Sequence, residues 1–229
     1  MTTFVLIHGA YQGGWIYKPV AERLRAQGHV VLTPSLDGCA ERKGQVRPGI
    51  TTETHAAEIA DLLFYQDLSD VVLVGTSTGG MVMARAAELA RDRVARLVFA
   101  DSLALLDGEA LSDIVKRPTA VDTELTSGPS RQDFETRLFA DLKPEMRRWA
   151  LERCTPHPIG VMKAPVRLER FWDQAWNASV IWCKRSTNPP RAHQRRTAER
   201  LKGRWHELDT GHYPMLTEPD ALARLIVEG

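Results

Sequence analysis

The sequence predicts an α/β protein with a mostly parallel sheet flanked by helices. Short β-rich runs alternate with helical patterns, and each run is apolar at consecutive positions rather than at every second one. The chain also has 229 residues, 43% of them apolar, enough to fill one large core. Consecutive apolar residues mark strands buried on both faces, which is the condition of a parallel sheet covered by crossover helices.

The elements follow in order. Strands are predicted at Thr3–His8 ("TFVLIH"), His29–Pro34 ("HVVLTP"), Asp70–Gly75 ("DVVLVG") and Arg96–Asp101 ("RLVFAD"). Helical periodicity fills the intervals at Pro19–Ala26, Thr52–Tyr65 and Gly80–Ala90. Two late strands, Ser179–Lys184 ("SVIWCK") and Arg204–Leu208 ("RWHEL"), each precede a helical stretch. Between 102 and 178 the rhythm breaks. Prolines including Pro118 and Pro129 punctuate that stretch, and "DFETRLFADL" and "EMRRWALERC" read as helices. It is too long for a plain loop, so a helical lid over the strands' C-terminal ends is expected. The domain reading is a core of 1–101 and 179–229, with the lid at 102–178.

Composition excludes several classes. Thirty basic and 29 acidic side chains leave a formal charge of +1, which offers no general attraction to nucleic acid or to an anionic membrane. The run from Arg185 to Arg204 is rich in arginine and reads as a solvated helix face. Three widely spaced cysteines, Cys39, Cys154 and Cys183, suit a reducing compartment and form no metal cluster. The opening "MTTFVLIHG" lacks the basic region of a signal peptide, and no run approaches the ~18 apolar residues of a membrane span. A cytoplasmic protein is expected. No oligomeric state is legible; a homodimer is allowed.

The chemistry centres on Gly75-Thr76-Ser77-Thr78-Gly79, a G-x-S-x-G pattern between a strand and a helix. A nucleophile on such a turn takes a strained backbone, and glycine at 75 and 79 removes side chains that would collide. A serine needs a base, and His212 in "LDTGHYPM" stands where a loop after the last strand can bend over the sheet's edge. The other six histidines occupy strand, helix or lid contexts without such a turn. The loop "HGAYQGGW" after the first strand supplies backbone N–H groups, and those of Ala10 and Thr78 are candidate oxyanion donors.

Together, "FVLIHGAYQGGW", "GHVVLTPSLDG", "VVLVGTSTGGMV" and "LDTGHYPMLTEP" resemble the α/β-hydrolase superfamily, in the branch of plant methylesterases, hydroxynitrile lyases and bacterial esterases. The resemblance spans nearly the whole core. It implies Ser77 as nucleophile, His212 as base, and the N–H groups of Ala10 and Thr78 as oxyanion hole. The chain departs from the branch at Thr76, where relatives usually carry histidine, and at Thr78, where they carry a larger residue. A deeper departure concerns the triad acid, normally the aspartate of a C-T-x-D-x-x-x-P stretch. Here Cys183-Lys184-Arg185-Ser186 puts a serine in that place. Asp101 is then the favoured acid, since it ends the strand after the nucleophile helix and keeps the order serine, aspartate, histidine. Asp209 and Asp37 read as turn residues.

The expected activity is cleavage of a small ester, with no cofactor and no metal. A hydroxynitrile lyase fits less well, because those enzymes place threonine at Gly9 and lysine at Tyr213. A cofactor-free dioxygenase and a non-catalytic small-molecule receptor are the other readings on this fold. Tyr11, Trp149 and Trp176 are the candidate substrate-binding side chains, while Trp172, Phe134 and Phe139 could equally pack the lid.

Overall fold

A computed structural model describes residues 1–116 and 120–229; Pro118 lies outside them. Four strands open the chain: β1 (Thr3–Ile7), β2 (Val30–Leu32), β3 (Val71–Ser77) and β4 (Val94–Ser102). Three short strands follow, β5 (Ala120–Asp122), β6 (Thr126–Pro129) and β7 (His157–Pro158), and then β8 (Ala178–Cys183) and β9 (Arg204–Leu208). The main sheet has six strands in the order β2-β1-β3-β4-β8-β9, all parallel.

Alternation along each strand feeds two cores, one on each face of the sheet. Val5, Ile7, Leu73 and Phe99 point to one face and pack against α2 (Thr52–Tyr65) and α3 (Gly79–Leu89) through Ile59, Leu63 and Met83. Phe4, Leu6, Val72, Val74 and Val98 point to the other, against α1 (Lys18–Ala26) and the helix Pro219–Glu228 through Leu24, Leu222 and Ile226. Apolar runs without polar alternation are what this double covering requires.

The segment joining β4 to β8 departs from the expected purely helical insertion. It does contain a helix at Pro144–Leu151, and "DFETRLFADL" forms a short wide-turned helix over Phe134–Leu138. It also holds β5, β6 and β7 as a small antiparallel sheet. Proline and glycine around these strands hid them, because the runs are too short to show a period. The arginine-rich helix Arg191–Leu201 carries its cations largely over aromatic rings, with Arg195 3.9 Å above Trp205 and Arg191 4.8 Å above Trp182. All three cysteines are free. Among the described residues no helix is long and apolar enough to cross a membrane.

His8 ties the first loop to the second. Its Nε2 accepts from the Leu36 N–H at 3.0 Å, and its Nδ1–H donates to the Gly9 carbonyl at 2.8 Å. Burial pushes this imidazole down to about 4, and burial lowers His193 to about 4 as well. Both rings bind a proton less readily in the folded chain than in the unfolded one. The stability they contribute is therefore complete above the ordinary histidine value of about 6.5 and is lost as pH falls toward 4. For His8 the loss is on the order of 3 kcal/mol. Thermal unfolding followed from pH 7 to pH 4 should show a falling midpoint, and His8→Gln should give a lower but flatter profile. An unchanged slope in that variant would remove His8 as a contributor.

Candidate active site

Two kinks on adjacent strands build the site. Ser77, the last residue of β3, has φ of 51°, and Asp101 near the end of β4 has φ of 46°. Both lie in the left-handed region, which costs a side-chain-bearing residue energy unless its surroundings enforce it. The ladder explains Asp101. β3 and β4 pair Thr76 with Ala100 and then Ser77 with Ser102, so Asp101 is the extra residue of a bulge.

The serine turn is held from several sides. The Ser77 carbonyl accepts from the Leu103 N–H at 3.0 Å and from the Ser102 hydroxyl at 3.1 Å. A β-carbon at Gly75 would lie 2.8 Å from the Gly79 carbonyl oxygen, and one at Gly79 would lie 2.4 Å from that of Ile7. Only glycine admits so close a crossing of turn, helix and first strand. α3 begins directly after the turn, with its positive end beside Ser77.

His212 follows β9 on a loop that brings its Nδ1 to 2.6 Å from Asp101 Oδ2. Asp101 is fully buried, and its other oxygen accepts from Gln194 Nε2 at 2.7 Å and from the Cys183 N–H at 3.3 Å. A carboxylate bound to Nδ1 fixes the ring proton there and leaves Nε2 as the acceptor. Gln194, also fully buried, further donates to the Pro189 carbonyl at 3.1 Å. Sequence reasoning missed Gln194, which lies within the arginine-rich stretch and belongs to no motif. Ser186, at the position where relatives carry the acid, donates to the Asn188 carbonyl at 3.1 Å. Asp37 pairs with Arg47 at 2.7 Å, and the exposed Asp209 lies 3.8 Å from Arg185.

Ser77, His212, Ala10, Thr78 and Tyr11 all line one cavity of about 260 Å³. Leu103, Leu111, Val115, Leu138 and Met162 give it an apolar wall, and Tyr213 joins the lining. Trp149 and Trp176 are not among the described residues that line this cavity. Trp149 packs edge-on against Trp15 at 5.2 Å beneath the Arg153 guanidinium. Trp176 stacks on Phe171 at 5.3 Å and donates its indole N–H to the Phe171 carbonyl at 2.8 Å. Trp176 is buried in one core, and Trp149 packs against the other. Phe139 is buried 4.6 Å from Tyr213, and Phe134 lies edge-on to Tyr11 at 5.7 Å.

The remaining nucleophilic groups are poorly suited to chemistry. Cys39 Sγ lies 3.4 Å from His157 Nδ1, yet burial pushes its thiol far above the usual range. Cys183 is raised likewise by burial, with the Asp101 and Asp141 carboxylates adding to the effect. Among the described residues no group of three histidine, cysteine or acidic side chains could hold a metal ion.

Comparison with known proteins agrees with this architecture. Residues 4–225 match the model of the "Alpha/beta hydrolase family". A carbendazim-hydrolyzing esterase from Nocardioides sp. (strain SG-4G) is 31% identical over 179 residues, covering 73% of this chain and 74% of the relative. Methylesterase 3 of Arabidopsis thaliana is 23% identical over 241 residues, covering 97% of this chain and 94% of the relative. An extracellular α/β-hydrolase from a Paenibacillus species superposes with a TM-score of 0.85 at 23% identity, covering 100% of this chain and 98% of its own. A serine kinked between strand and helix, lining one cavity with the histidine of the loop after β9, thus sits within a match spanning nearly the whole chain: the protein belongs to the α/β-hydrolase family.

Proposed function

We propose that the chain is a serine hydrolase of the carboxylesterase type, with Ser77 as nucleophile, His212 as general base and Asp101 as the acid that orients it. The single observation carrying this reading is the 2.6 Å contact between His212 Nδ1 and the buried Asp101, on the wall of the cavity that Ser77 lines. Relatives named as an esterase and a methylesterase support the reaction class.

The steps follow from ordinary acyl transfer. Ser77 Oγ attacks the ester carbonyl while His212 Nε2 takes the hydroxyl proton. The tetrahedral oxyanion forms against the N–H groups of Ala10 and Thr78, with the start of α3 adding positive potential. His212 then returns its proton to the departing alcohol, leaving the acyl group on Ser77. Water, deprotonated by His212, attacks that acyl carbon, and His212 then returns the proton to Ser77 Oγ as the acyl–oxygen bond breaks and the acid leaves. Asp101 stays a carboxylate throughout and stabilises the imidazolium formed in each half-reaction.

The segment between β4 and β8 acts as a lid in this reading. Leu111, Leu138 and Met162 from it close the cavity over the serine, which excludes water and strengthens each electrostatic contact inside. The lyase reading has a specific observation against it. A β-carbon at Gly9 would lie 2.7 Å from Ser77 Cβ, so the threonine expected of lyases has no room on this backbone.

Ser77→Ala should abolish hydrolysis of a small activated ester and stoichiometric labelling by a fluorophosphonate. A wild-type protein that resists the probe would point to a receptor instead. Asp101→Asn should lower kcat by about 10⁴-fold, since the amide favours the wrong imidazole tautomer. Near-native turnover in that variant would remove Asp101 from the mechanism.

Gln194 acts through Asp101 as a positioning residue, because a hydrogen bond to a charged group is worth roughly 1.5–3 kcal/mol. Gln194→Met, similar in volume and lacking the donor, should lower kcat by about 10- to 100-fold with KM little changed. A change confined to KM, or none at all, would contradict that role.

A further inference from the structure

The cavity carries a charge that the chain as a whole does not. Against a formal total of +1, its lining among the described residues holds three cations, Lys116, Arg137 and Arg185, and one carboxylate, Asp141. That carboxylate is already engaged, accepting from the Gly211 N–H at 3.2 Å beside His212. The cations stand at looser distances. Arg137 lies 3.7 Å from Asp133, Arg185 lies 3.8 Å from Asp209, and Lys116 Nζ reaches the Ser112 carbonyl at 3.4 Å. Charge-assisted bonds normally close to about 2.7–2.9 Å. Other arginines of the chain do close: Arg196 meets Glu109 at 2.7 Å, Arg85 meets Glu53 at 2.8 Å and Arg147 meets the Ala140 carbonyl at 2.7 Å.

Arg137 also acts toward the interior. The phenol of Tyr213, a buried lining residue held well above its usual range by burial, is drawn back down in part by a hydrogen bond with Gln12 and, to a smaller extent, by the Arg137 charge. The apolar wall of Leu103, Leu138 and Met162 beside these cations is a low-dielectric surface, which concentrates their field in the cleft.

We propose that the cavity selects esters carrying an anionic group, a carboxylate in the simplest case, at a distance from the scissile carbonyl. The apolar wall receives the carbon chain, and Arg137, Arg185 and Lys116 receive the anion at the mouth. This substrate class rests on the hydrolase reading of Ser77. The reaction is the same acyl transfer, with ester and water giving acid and alcohol, and the remote anion takes no part in bond changes.

Two pairs, each matched in carbon-chain length with a terminal methyl in one member and a carboxylate in the other, test the idea and separate the two sides of the ester. Methyl pentanoate against monomethyl glutarate places the charge on the acyl side; propyl acetate against 3-acetoxypropanoate places it on the alcohol side. In at least one pair the anionic ester should have a kcat/KM higher by roughly 10-fold at low salt. That ratio should shrink toward unity in 0.5 M salt, and in the double variant R137Q/R185Q. Arg224→Gln, which removes an exposed cation from the final helix, should leave the ratio unchanged. Binding of the same four esters to the Ser77→Ala variant, measured calorimetrically, reads the selection without chemistry. Preferential binding of an anionic member there supports the inference even if the wild-type protein cleaves no ester, an outcome that would sink the hydrolase reading alone. Equal binding and equal kcat/KM within both pairs, or a preference that survives R137Q/R185Q, would overturn the inference and leave the hydrolase reading standing.

Discussion

Everything at this site depends on two neighbouring strands leaving regular geometry at the same level. Ser77 and Asp101 both occupy the left-handed region, and the extra residue in β4 is what permits it. Had the ladder run on without a bulge, Asp101 would have paired within the sheet. The bulge instead frees its carboxylate to reach across the end of β8 to the loop that carries His212. The strain is enforced by bonds on both sides: the Ser77 carbonyl is held by Leu103 and Ser102, and the Asp101 carboxylate by Gln194 and Cys183.

This arrangement explains how the chain dispenses with an aspartate at position 186. In the proposed triad a carboxylate at Nδ1 orients the base, and it can arrive from any strand end that points to the same spot. In that proposal the acid comes from β4, one strand nearer Ser77, rather than from the loop after β8. The end of β8 contributes a backbone N–H to Asp101, and the helix beyond it contributes Gln194. The charge has moved from the loop to the sheet, where burial is complete. A fully buried carboxylate needs its oxygens satisfied, which is why a second donor appears beside the histidine.

The segment between β4 and β8 links packing to chemistry. It brings apolar side chains over Ser77, and through Asp141 it touches the backbone of Gly211, next to the base. A side chain at 211 would strike that carboxylate, with an added β-carbon only 2.3 Å from it, so glycine at 211 allows this segment to pack against the histidine loop. The two tryptophans, Trp149 and Trp176, are spent on anchoring this segment to its surroundings, and the cavity is left to smaller aliphatic and charged groups.

Local pattern in the chain is enough to locate the main sheet, its helices, the serine turn and the histidine loop. Each is written in local pattern: consecutive apolar residues for doubly covered strands, glycines around Ser77, and a loop after the final strand for His212. It also singled out Asp101 from chain order and strand position. Folding alone brings Asp101 to His212 and Gln194 to Asp101, leaves Trp149 and Trp176 off the cavity lining, and places Lys116, Arg137 and Arg185 on it. Those facts join residues from separate elements, such as the 93 positions between Asp101 and Gln194, and no period or spacing in the chain encodes a contact made by folding alone.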